Sequence, residues 1–398
     1  MTADNLLPVA AGNAPATGDP STSAPSTSAD ATPGASSTLV LLGWDPGWAA
    51  AFAPHASPAC EPARVVAAHR ASWIIATHAG EREAVIAGRL RHEALGPADL
   101  PAVGDWVVAA VEPDHDGPAV IRAILPRRTV FRRGAEDGHT IDEQVLAANV
   151  DVAIVVAGLD GDFNLRRLER YLAVAYAGGA TPVVVLNKTD TSADLAGLLT
   201  AAVSVAPGTE VHAISALTGD GVAGLASRHL GPGRTAVVLG SSGVGKSTLV
   251  NALLGHEHLR TQAVRRDDSR GRHTTTHREL VHLPGGALLI DTPGIRSLGV
   301  AGAAVGLDPA FSDITDLAAQ CRFTDCGHDR EPGCAIRAAL DEGRLSHDRL
   351  MSHRKLVREA AHVARSGDRL LREAERRRWK AIAQASGRHM DAKYGRDR

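Results

Sequence analysis

The sequence is poor in aromatic residues, which make up 3% of its 398 residues. A surface that binds nucleic acid by stacking bases on aromatic rings is therefore not expected. No apolar stretch reaches the ~20 residues that a membrane helix requires. The N-terminus also lacks a basic segment followed by an apolar run, which argues against a secretory signal. We expect a cytoplasmic protein with no membrane partner.

Cysteine is scarce, and basic residues are unevenly distributed. Three of the four cysteines fall within residues 321–334, a clustering that is typical of a metal site and not of a secreted disulfide framework. No Lys or Arg precedes Arg64, whereas residues 346–398 contain fifteen Lys and Arg against seven Asp and Glu. The net charge of −2 therefore hides a basic C-terminal region.

Composition and hydrophobic period predict a multidomain chain. Residues 1–38 are rich in Ala, Ser, Thr and Pro, which predicts a disordered tail. Residues 39–135 begin with an apolar lead-in and continue with four or five short alternating strands, which predicts a small β-barrel. Residues 136–300 alternate buried strands with helices, the pattern of an α/β domain with a parallel sheet. Residues 301–398 are predicted to be helical and to contain the metal site.

The segment "GSSGVGKST" follows an apolar strand and opens a helical pattern. It fits the phosphate-loop pattern G-x-x-x-x-G-K-[ST], in which backbone N–H groups and the helix N-terminus surround phosphate. Lys246 is expected to reach the β- and γ-phosphates and Ser247 to hold Mg²⁺. The alternative is a Gly/Ser turn with a chance lysine.

The segment "TPVVVLNKTDT" predicts a buried strand that ends in a base-recognition loop. The Asp190 carboxylate can accept hydrogen bonds from the adjacent N1–H and N2–H₂ groups of guanine, which adenine lacks. Asn187 can hold the loop, the Lys188 stem can cover the base, and "SALTG" from Ser215 can offer a backbone N–H to guanine O6. The alternative for such a short motif is a surface turn.

The segment "DTPG" also follows an apolar strand. Asp291 is predicted to bind Mg²⁺ and the Gly294 N–H to contact the γ-phosphate. The polar stretch before it, "SRGRHTTTHREL", is predicted to be a switch in which Thr275 or Thr276 senses Mg²⁺ and the γ-phosphate; the alternative is a solvated loop. The predicted nucleotide contacts are Asn187, Lys188, Thr189, Asp190, Ser215, Ala216, Gly240, Ser241, Ser242, Gly243, Val244, Gly245, Lys246, Ser247, Thr248 and Gly294.

These elements occur in an unusual order, because the base-recognition motif precedes the phosphate loop. The set is complete but circularly permuted, which a sheet can tolerate when chain termini lie at the surface. The permuted order, together with "VGDWV", "GSSGVGKST", "GRHTTT", "DTPGIR" and "CxxxxCxHxxEPGCA", resembles the bacterial ribosome small-subunit-dependent GTPase A (RsgA/YjeQ) family over roughly residues 39–390. The resemblance implies an OB-fold barrel, a permuted P-loop GTPase domain, a zinc domain and a role in late maturation of the small ribosomal subunit.

Many GTPases place a glutamine after the DxxG motif to orient the attacking water, but this sequence has Ile295 there. Slow intrinsic hydrolysis is therefore expected. His273, beside the switch threonines, is the candidate that orients or deprotonates water, and the resemblance to the family supports it.

Cys321, Cys326, His328 and Cys334 follow the spacing C-x₄-C-x-H-x₅-C. Three thiolates and one imidazole suit tetrahedral Zn²⁺ with no position left for water, so a structural zinc is predicted. Free thiols in a loop are the alternative.

The segment "RRRWKAIAQASGR" at residues 376–388 predicts a basic helix that contacts rRNA phosphates; a solvated basic helix is the alternative. Trp73 and Trp106 are predicted to lie in the barrel core. The expected function is a monomeric GTPase that binds the small ribosomal subunit and couples hydrolysis to its own release. A nucleotide-gated RNA-binding module with incidental hydrolysis, and a P-loop ATPase or kinase, are the alternatives.

Overall fold

The computed structural model describes residues 37–69, 71–111, 117–133, 143–161, 163–257, 278–291 and 304–365. The predicted N-terminal tail, His273, Thr275, Thr276, Gly294, Ile295 and the basic segment 376–388 lie outside these residues. Within them, no helix is long and apolar enough to cross a membrane.

The apolar lead-in forms two short helices, α1 (Ser37–Leu41) and α2 (Pro46–Phe52). Asp45 caps α2, because its carboxylate accepts a 2.9 Å hydrogen bond from the Trp48 N–H. Trp44 packs edge-on against Trp106 with ring centroids 4.7 Å apart. The lead-in is therefore helical and packs through its aromatic rings.

Five short strands close into a barrel in the order β1-β2-β3-β5-β4, and pairing of β1 with β4 completes the closure. Small and β-branched side chains such as Val65 and Ile121 fill its interior and are fully buried. Trp73 also belongs to this core, as predicted. Trp106 is buried too, but it packs against the lead-in tryptophans on the other face of its strand. The barrel elements are β1 (Cys60–Ala68), β2 (Trp73–Thr77), β3 (Gly80–Ile86), the short helix α3 (Gly88–Glu93), β4 (Trp106–Ala110) and β5 (Ala119–Ile124).

A two-stranded ribbon, which the sequence patterns did not predict, follows the barrel and leads into a six-stranded sheet. The strand order of the sheet is β10-β9-β8-β11-β13-β12, with β12 antiparallel to β13 and the other five strands parallel. The ribbon is β6 (Val130–Arg133) and β7 (Gln144–Ala148). The sheet and its helices are β8 (Val152–Gly158), α4 (Leu165–Ala177), β9 (Thr181–Asn187), α5 (Leu195–Ser204), β10 (Val211–Ala213), α6 (Val222–His229), β11 (Thr235–Leu239), α7 (Lys246–Leu254), β12 (Arg278–His282) and β13 (Leu288–Asp291).

The central strands of this sheet are buried on both faces, which explains their uninterrupted apolar sequences. In β8, Ala153 and Val155 enter one core while Ile154 and Val156 enter the other. This alternation follows from the two-residue period of a strand. The carboxyl ends of the parallel strands consequently meet along one edge, where the polar motifs follow.

The barrel and the sheet are joined by a short pairing of β1 with β12 and by Arg64. The Arg64 guanidinium donates to Thr235 Oγ1 at 2.8 Å and to the Asn149 carbonyl at 3.3 Å. Burial lowers the pKa of this guanidinium to about 10. Thr235 begins β11, the strand that leads into the phosphate loop, so a barrel side chain holds the opposite end of that strand.

The C-terminal part is helical and packs on α4. Gly306 lies so close to α4 that a Cβ atom there would stand 2.1 Å from the Ala173 carbonyl oxygen. The buried Arg349 donates to Glu169 at 2.9 Å, to the Ala310 carbonyl at 2.9 Å and to Asp313 at 2.7 Å. These contacts join the C-terminal helices to the sheet. The elements are α8 (Ala304–Ala310), α9 (Ser312–Ala318), α10 (Ala335–Asp341) and a C-terminal helix at residues 347–365.

Candidate nucleotide site and metal centre

The predicted phosphate loop connects β11 to α7 and turns sharply at its glycines. Gly240, Gly243 and Gly245 have positive φ angles of 145°, 84° and 92°, which residues other than glycine rarely adopt. A Cβ atom at Gly240 would also lie 2.4 Å from the Val156 carbonyl oxygen. All three glycines in the motif are therefore required by the backbone conformation.

Lys246 is the first residue of α7, and its side chain folds back over the loop. Its Nζ donates to the Gly240 carbonyl at 2.8 Å and also contacts the Ser241 carbonyl. Ser247 and Thr248 follow in the first turn of the helix, where N–H groups lack helical partners. An ammonium group and helix N–H groups thus lie at the same end of α7, an arrangement that favours anions.

Asn187 ends β9 and joins three segments that are distant in the chain. It is 2% exposed, and its Nδ2 donates to the Val244 carbonyl at 2.9 Å. Its Oδ1 accepts a 2.9 Å hydrogen bond from the Ala216 N–H. A Cβ atom at Gly245 would lie 2.2 Å from Asn187 Nδ2, so glycine is needed for this approach. One buried amide therefore brings "NKTD", "SAL" and the phosphate loop together.

Lys188 and Asp190 lie in the turn after Asn187. Lys188 adopts a left-handed backbone with φ of 72°, and its Nζ donates to the Gly243 carbonyl at 2.7 Å and contacts Asp160. Asp190 Oδ1 accepts a 2.6 Å hydrogen bond from Ser215 Oγ. The Thr189 N–H donates to the Ile214 carbonyl at 3.2 Å. The Lys188 side chain thus contacts the phosphate loop, and Ser215 orients the Asp190 carboxylate two residues later.

Asp291 ends β13, the parallel neighbour of β11. Ile290 pairs with Val237, so Asp291 lies level with the last residues of β11 before the phosphate loop. This is the position expected of an acidic residue that binds the cation accompanying a bound phosphate. The other predicted switch residues lie in the part of the chain that the structure does not describe.

Two charged residues at this edge belong to none of the predicted motifs and are not among the predicted site residues. Arg167, on α4, donates to Ser241 Oγ at 3.0 Å, and Asp160 contacts Lys188. Both follow β8, whose carboxyl end lies beside the phosphate loop. The segment "DGDFNLRR" could have been suspected on that ground, because the parallel order of β8 and β11 brings it to the same edge.

The predicted cysteine cluster converges in the structure. The ligand atoms of Cys321, Cys326, His328 and Cys334 all lie within 4.8 Å of one another. His328 Nδ1 is 3.6 Å from both Cys321 Sγ and Cys334 Sγ, and these two sulfurs are 4.0 Å apart. Tetrahedral zinc with ordinary bond lengths separates such atoms by about 3.5–3.8 Å. The four side chains therefore fit a tetrahedral metal ion.

The loop between these ligands is held by Glu331 and Arg354. The Glu331 carboxylate accepts hydrogen bonds of 2.9 Å from the N–H groups of Gly327, Asp329 and Arg330, and backbone N–H donation lowers its pKa to about 2. Arg354, on the C-terminal helix, donates to the Gly327 carbonyl at 3.1 Å and to Asp329 at 2.8 Å. These contacts fix the loop in the conformation that gathers the ligands.

Comparison with known proteins identifies the family. A family model described as RsgA GTPase matches residues 124–301. "Small ribosomal subunit biogenesis GTPase RsgA" of Opitutus terrae is 51% identical over 357 residues, which is 87% of this chain and 96% of that protein. The chain belongs to the RsgA GTPase family. The protein of the same description from Streptomyces coelicolor is 44% identical over 90% of this chain and 96% of its own length.

Two solved structures share the fold. One is YjeQ from Thermotoga maritima, with a TM-score of 0.58 and 24% identity, covering 76% of this chain and 99% of that one. The other is YloQ, described as a circularly permuted GTPase, with a TM-score of 0.54 and 22% identity over 77% of this chain and 97% of that one. The predicted family, the small barrel, the permuted GTPase fold and the class of GTP-hydrolysing enzymes are therefore confirmed. An ATPase or kinase is not supported.

Proposed function

We propose that this RsgA-family GTPase binds GTP with Mg²⁺ at the edge described above and acts in biogenesis of the small ribosomal subunit. The observation that carries the proposal is the double hydrogen bond of Asn187 to Val244 and Ala216. It explains how a base-recognition loop that comes first in the chain can serve a phosphate loop that comes later.

In this proposal Asp190 recognises guanine. A carboxylate accepts the paired N1–H and N2–H₂ donors of guanine, whereas adenine would leave it without partners. The hydrogen bond from Ser215 Oγ orients the carboxylate for this role. The Lys188 stem covers the base, and the "SALTG" segment at residues 215–219 supplies a backbone N–H to O6.

Lys246 and the N–H groups of residues 240–248 bind the phosphates. We assign Ser247, Asp291 and one of Thr275 and Thr276 to the magnesium ion, and Gly294 to the γ-phosphate. The ion would neutralise charge that develops on the phosphate oxygens. Because Ile295 cannot hydrogen-bond to water, we assign the positioning of the attacking water to His273.

We propose that the cysteine cluster holds one structural zinc ion. The separation of its ligand atoms supports this assignment, as does the choice of three thiols and one imidazole. Zinc would link Cys321 and Cys334, which stand at the two ends of the segment, and so hold α9 against α10. We expect the metal to stabilise the fold and to take no part in hydrolysis.

The partner is inferred from the relatives, which are described as small ribosomal subunit biogenesis GTPases. We propose that this chain, as a monomer, also binds the small subunit and that its basic C-terminal segment contacts rRNA phosphates. Hydrolysis would then be coupled to release from the subunit. The family assignment does not favour the alternative, an RNA-binding module in which hydrolysis is incidental.

The test is GTP turnover measured with and without purified small subunits, with large subunits as the control. We expect small subunits, but not large subunits, to accelerate turnover strongly. We expect His273→Ala to retain GTP affinity but lose this acceleration. Equal turnover under all three conditions would contradict the coupling of hydrolysis to the small subunit.

A further inference from the structure

Three side chains at the far edge of the GTPase sheet converge on one point. Glu210 precedes the edge strand β10, His212 lies on it, and His229 ends α6. The two imidazole Nε2 atoms are 2.8 Å apart. Glu210 Oε2 lies 3.5 Å from His212 Nε2 and 3.6 Å from His229 Nε2. Three atoms of metal-binding type therefore form a compact triangle outside the nucleotide site.

We propose that Glu210, His212 and His229 bind a second divalent transition-metal ion, and that zinc suits the site best. Two imidazoles and one carboxylate are ordinary zinc ligands, and three protein ligands leave the fourth position for water. Bonds of about 2.0–2.2 Å in a tetrahedral site separate the ligand atoms by about 3.3–3.5 Å. The distances to Glu210 already agree, and the two imidazoles need to separate by only about 0.5 Å.

The positions of the protons on the two imidazole rings are compatible with metal binding. In the present contact one Nε2–H donates to the other Nε2, because a neutral imidazole has one donor and one acceptor nitrogen. A metal ion needs both Nε2 lone pairs, so the shared proton moves through solvent to Nδ1 of its own ring.

Arg228 both supports and limits this site. Its Nε bonds Glu210 Oε2 at 2.5 Å and its Nη2 bonds Oε1 at 3.1 Å, which turns the carboxylate towards the histidines. Its positive charge opposes a cation, so we expect weaker binding than at the cysteine cluster. His229 is largely buried and Glu210 is half exposed, so an ion would enter from the side of the carboxylate.

The ion would have a structural role. β10 leads directly into Ser215 and Ala216, and α6 begins after the same loop. A metal held between His212 and His229 would cross-link the two elements that flank this loop. We therefore expect added zinc to raise the thermal stability of the GTPase domain without supplying a catalytic group.

The experiment measures zinc affinity of the full chain, with its cysteine cluster loaded, by competition with a chromophoric chelator. Wild type should bind one further zinc ion. His212→Gln and His229→Gln should lose this ion, with affinity reduced by about 100-fold or more, because changes outside the direct ligands already cost about 10–100-fold. The exposed His282→Gln, on β12, is the matched control and should behave as wild type.

Glu210→Gln provides a second variant that keeps an acceptor for Arg228 but loses the charge of the ligand. It should weaken binding of the further zinc by about tenfold or more and reduce the rise in melting temperature that added zinc produces. GTP binding by each variant verifies that it is folded. A wild-type chain that binds only one zinc ion, or variants that bind the further ion with wild-type affinity, would overturn the proposal and leave a histidine pair that is only hydrogen-bonded.

Discussion

The nucleotide site and the cysteine cluster are built from the chain in opposite ways. Asn187 bonds Val244, 57 residues away, and Ala216, 29 residues away, so the fold of the sheet must exist before the nucleotide site does. The four cluster residues fall within positions 321–334 and need only one loop to meet. The first site depends on tertiary structure, and the second on a single local loop.

This difference predicts that the two regions respond independently to damage. Loss of the metal should loosen the C-terminal helices and leave the nucleotide loops in place, whereas loss of the Asn187 contacts should do the reverse. One connection between them is the buried contact of Arg349 with Glu169 on α4. Variants of the cysteine cluster, of Asn187 and of Arg349 test whether the two regions respond independently or are coupled.

Cys334→Ser should have the largest effect. It removes a buried ligand, and binding of structural zinc is worth roughly 10–16 kcal/mol in small zinc domains. We expect elemental analysis to show one zinc ion per chain fewer than in wild type and the C-terminal helices to become accessible to protease, while GTP affinity stays close to wild type. Cys60→Ser, at a free cysteine outside the cluster, is the control. Full zinc content in Cys334→Ser would contradict the ligand assignment.

Arg349→Met should rank next, because it removes one of the two arginine partners of the buried Glu169 carboxylate, the other being Arg166. Removing one member of a buried ion pair costs roughly 3–5 kcal/mol, and we expect such a loss in the free energy of unfolding. Urea denaturation provides the measurement. Arg344→Met removes the exposed ion pair with Glu342 and should cost under about 1 kcal/mol. Equal losses for the two variants would show that the buried contact does not join the regions.

Asn187→Ala should mainly damage the nucleotide site. It leaves the Val244 carbonyl and the Ala216 N–H without partners, at a cost of about 1–3 kcal/mol for each group. GTP affinity should fall by about a hundredfold in calorimetry, with zinc content unchanged. Asp194→Ala, which removes the cap of α5, should lower stability slightly and leave GTP affinity intact. A variant at Asn187 with wild-type affinity would remove this amide from its assigned role.

Glu331→Gln should give the smallest effect. The wild-type carboxylate holds three backbone N–H groups of the cluster loop, so zinc release to a chelator should accelerate by about tenfold. A lowered carboxyl pKa stabilises the fold fully above the ordinary value of 4.5 and loses this contribution as the pH falls towards about 2. The ratio of release rates should therefore stay constant from about pH 6 to 8. A ratio that changes across this range would point to another titrating group.

The same comparison shows what could be predicted from the sequence. The phosphate loop, "NKTD" and the cysteine spacing are local sequence patterns. Their geometry agrees with the expected fold because residues that are close in the sequence determine the conformation of each loop. Even the permuted order could be recognised, since every motif followed an apolar strand. The convergence of Asn187 on Val244 required only that β9 and β11 run parallel on either side of β8.

Contacts that depend on long-range packing could not be predicted. Nothing in the sequence around Arg64 indicates that it bonds Thr235, and the pairing of β12 with β1 joins strands from different domains. His212 and His229 follow no ligand spacing because they meet only when α6 packs against β10. The sequence predicts Trp106 in the barrel core, but residue alternation on β4 turns it towards the lead-in helices. These long-range contacts depend on which surfaces pack together, and a local sequence pattern does not determine that.

The central claim is that a carboxylate early in the chain recognises the base of a nucleotide whose phosphates are bound by a later loop. The most direct test is competition of GTP, ATP and xanthosine triphosphate for wild type and Asp190→Asn. Asparagine replaces an acceptor by a donor, which suits the second carbonyl of xanthine. We expect wild type to select GTP and the variant to lose GTP in favour of xanthosine triphosphate. An Asp190→Asn variant that still selects GTP over both competitors would contradict the account.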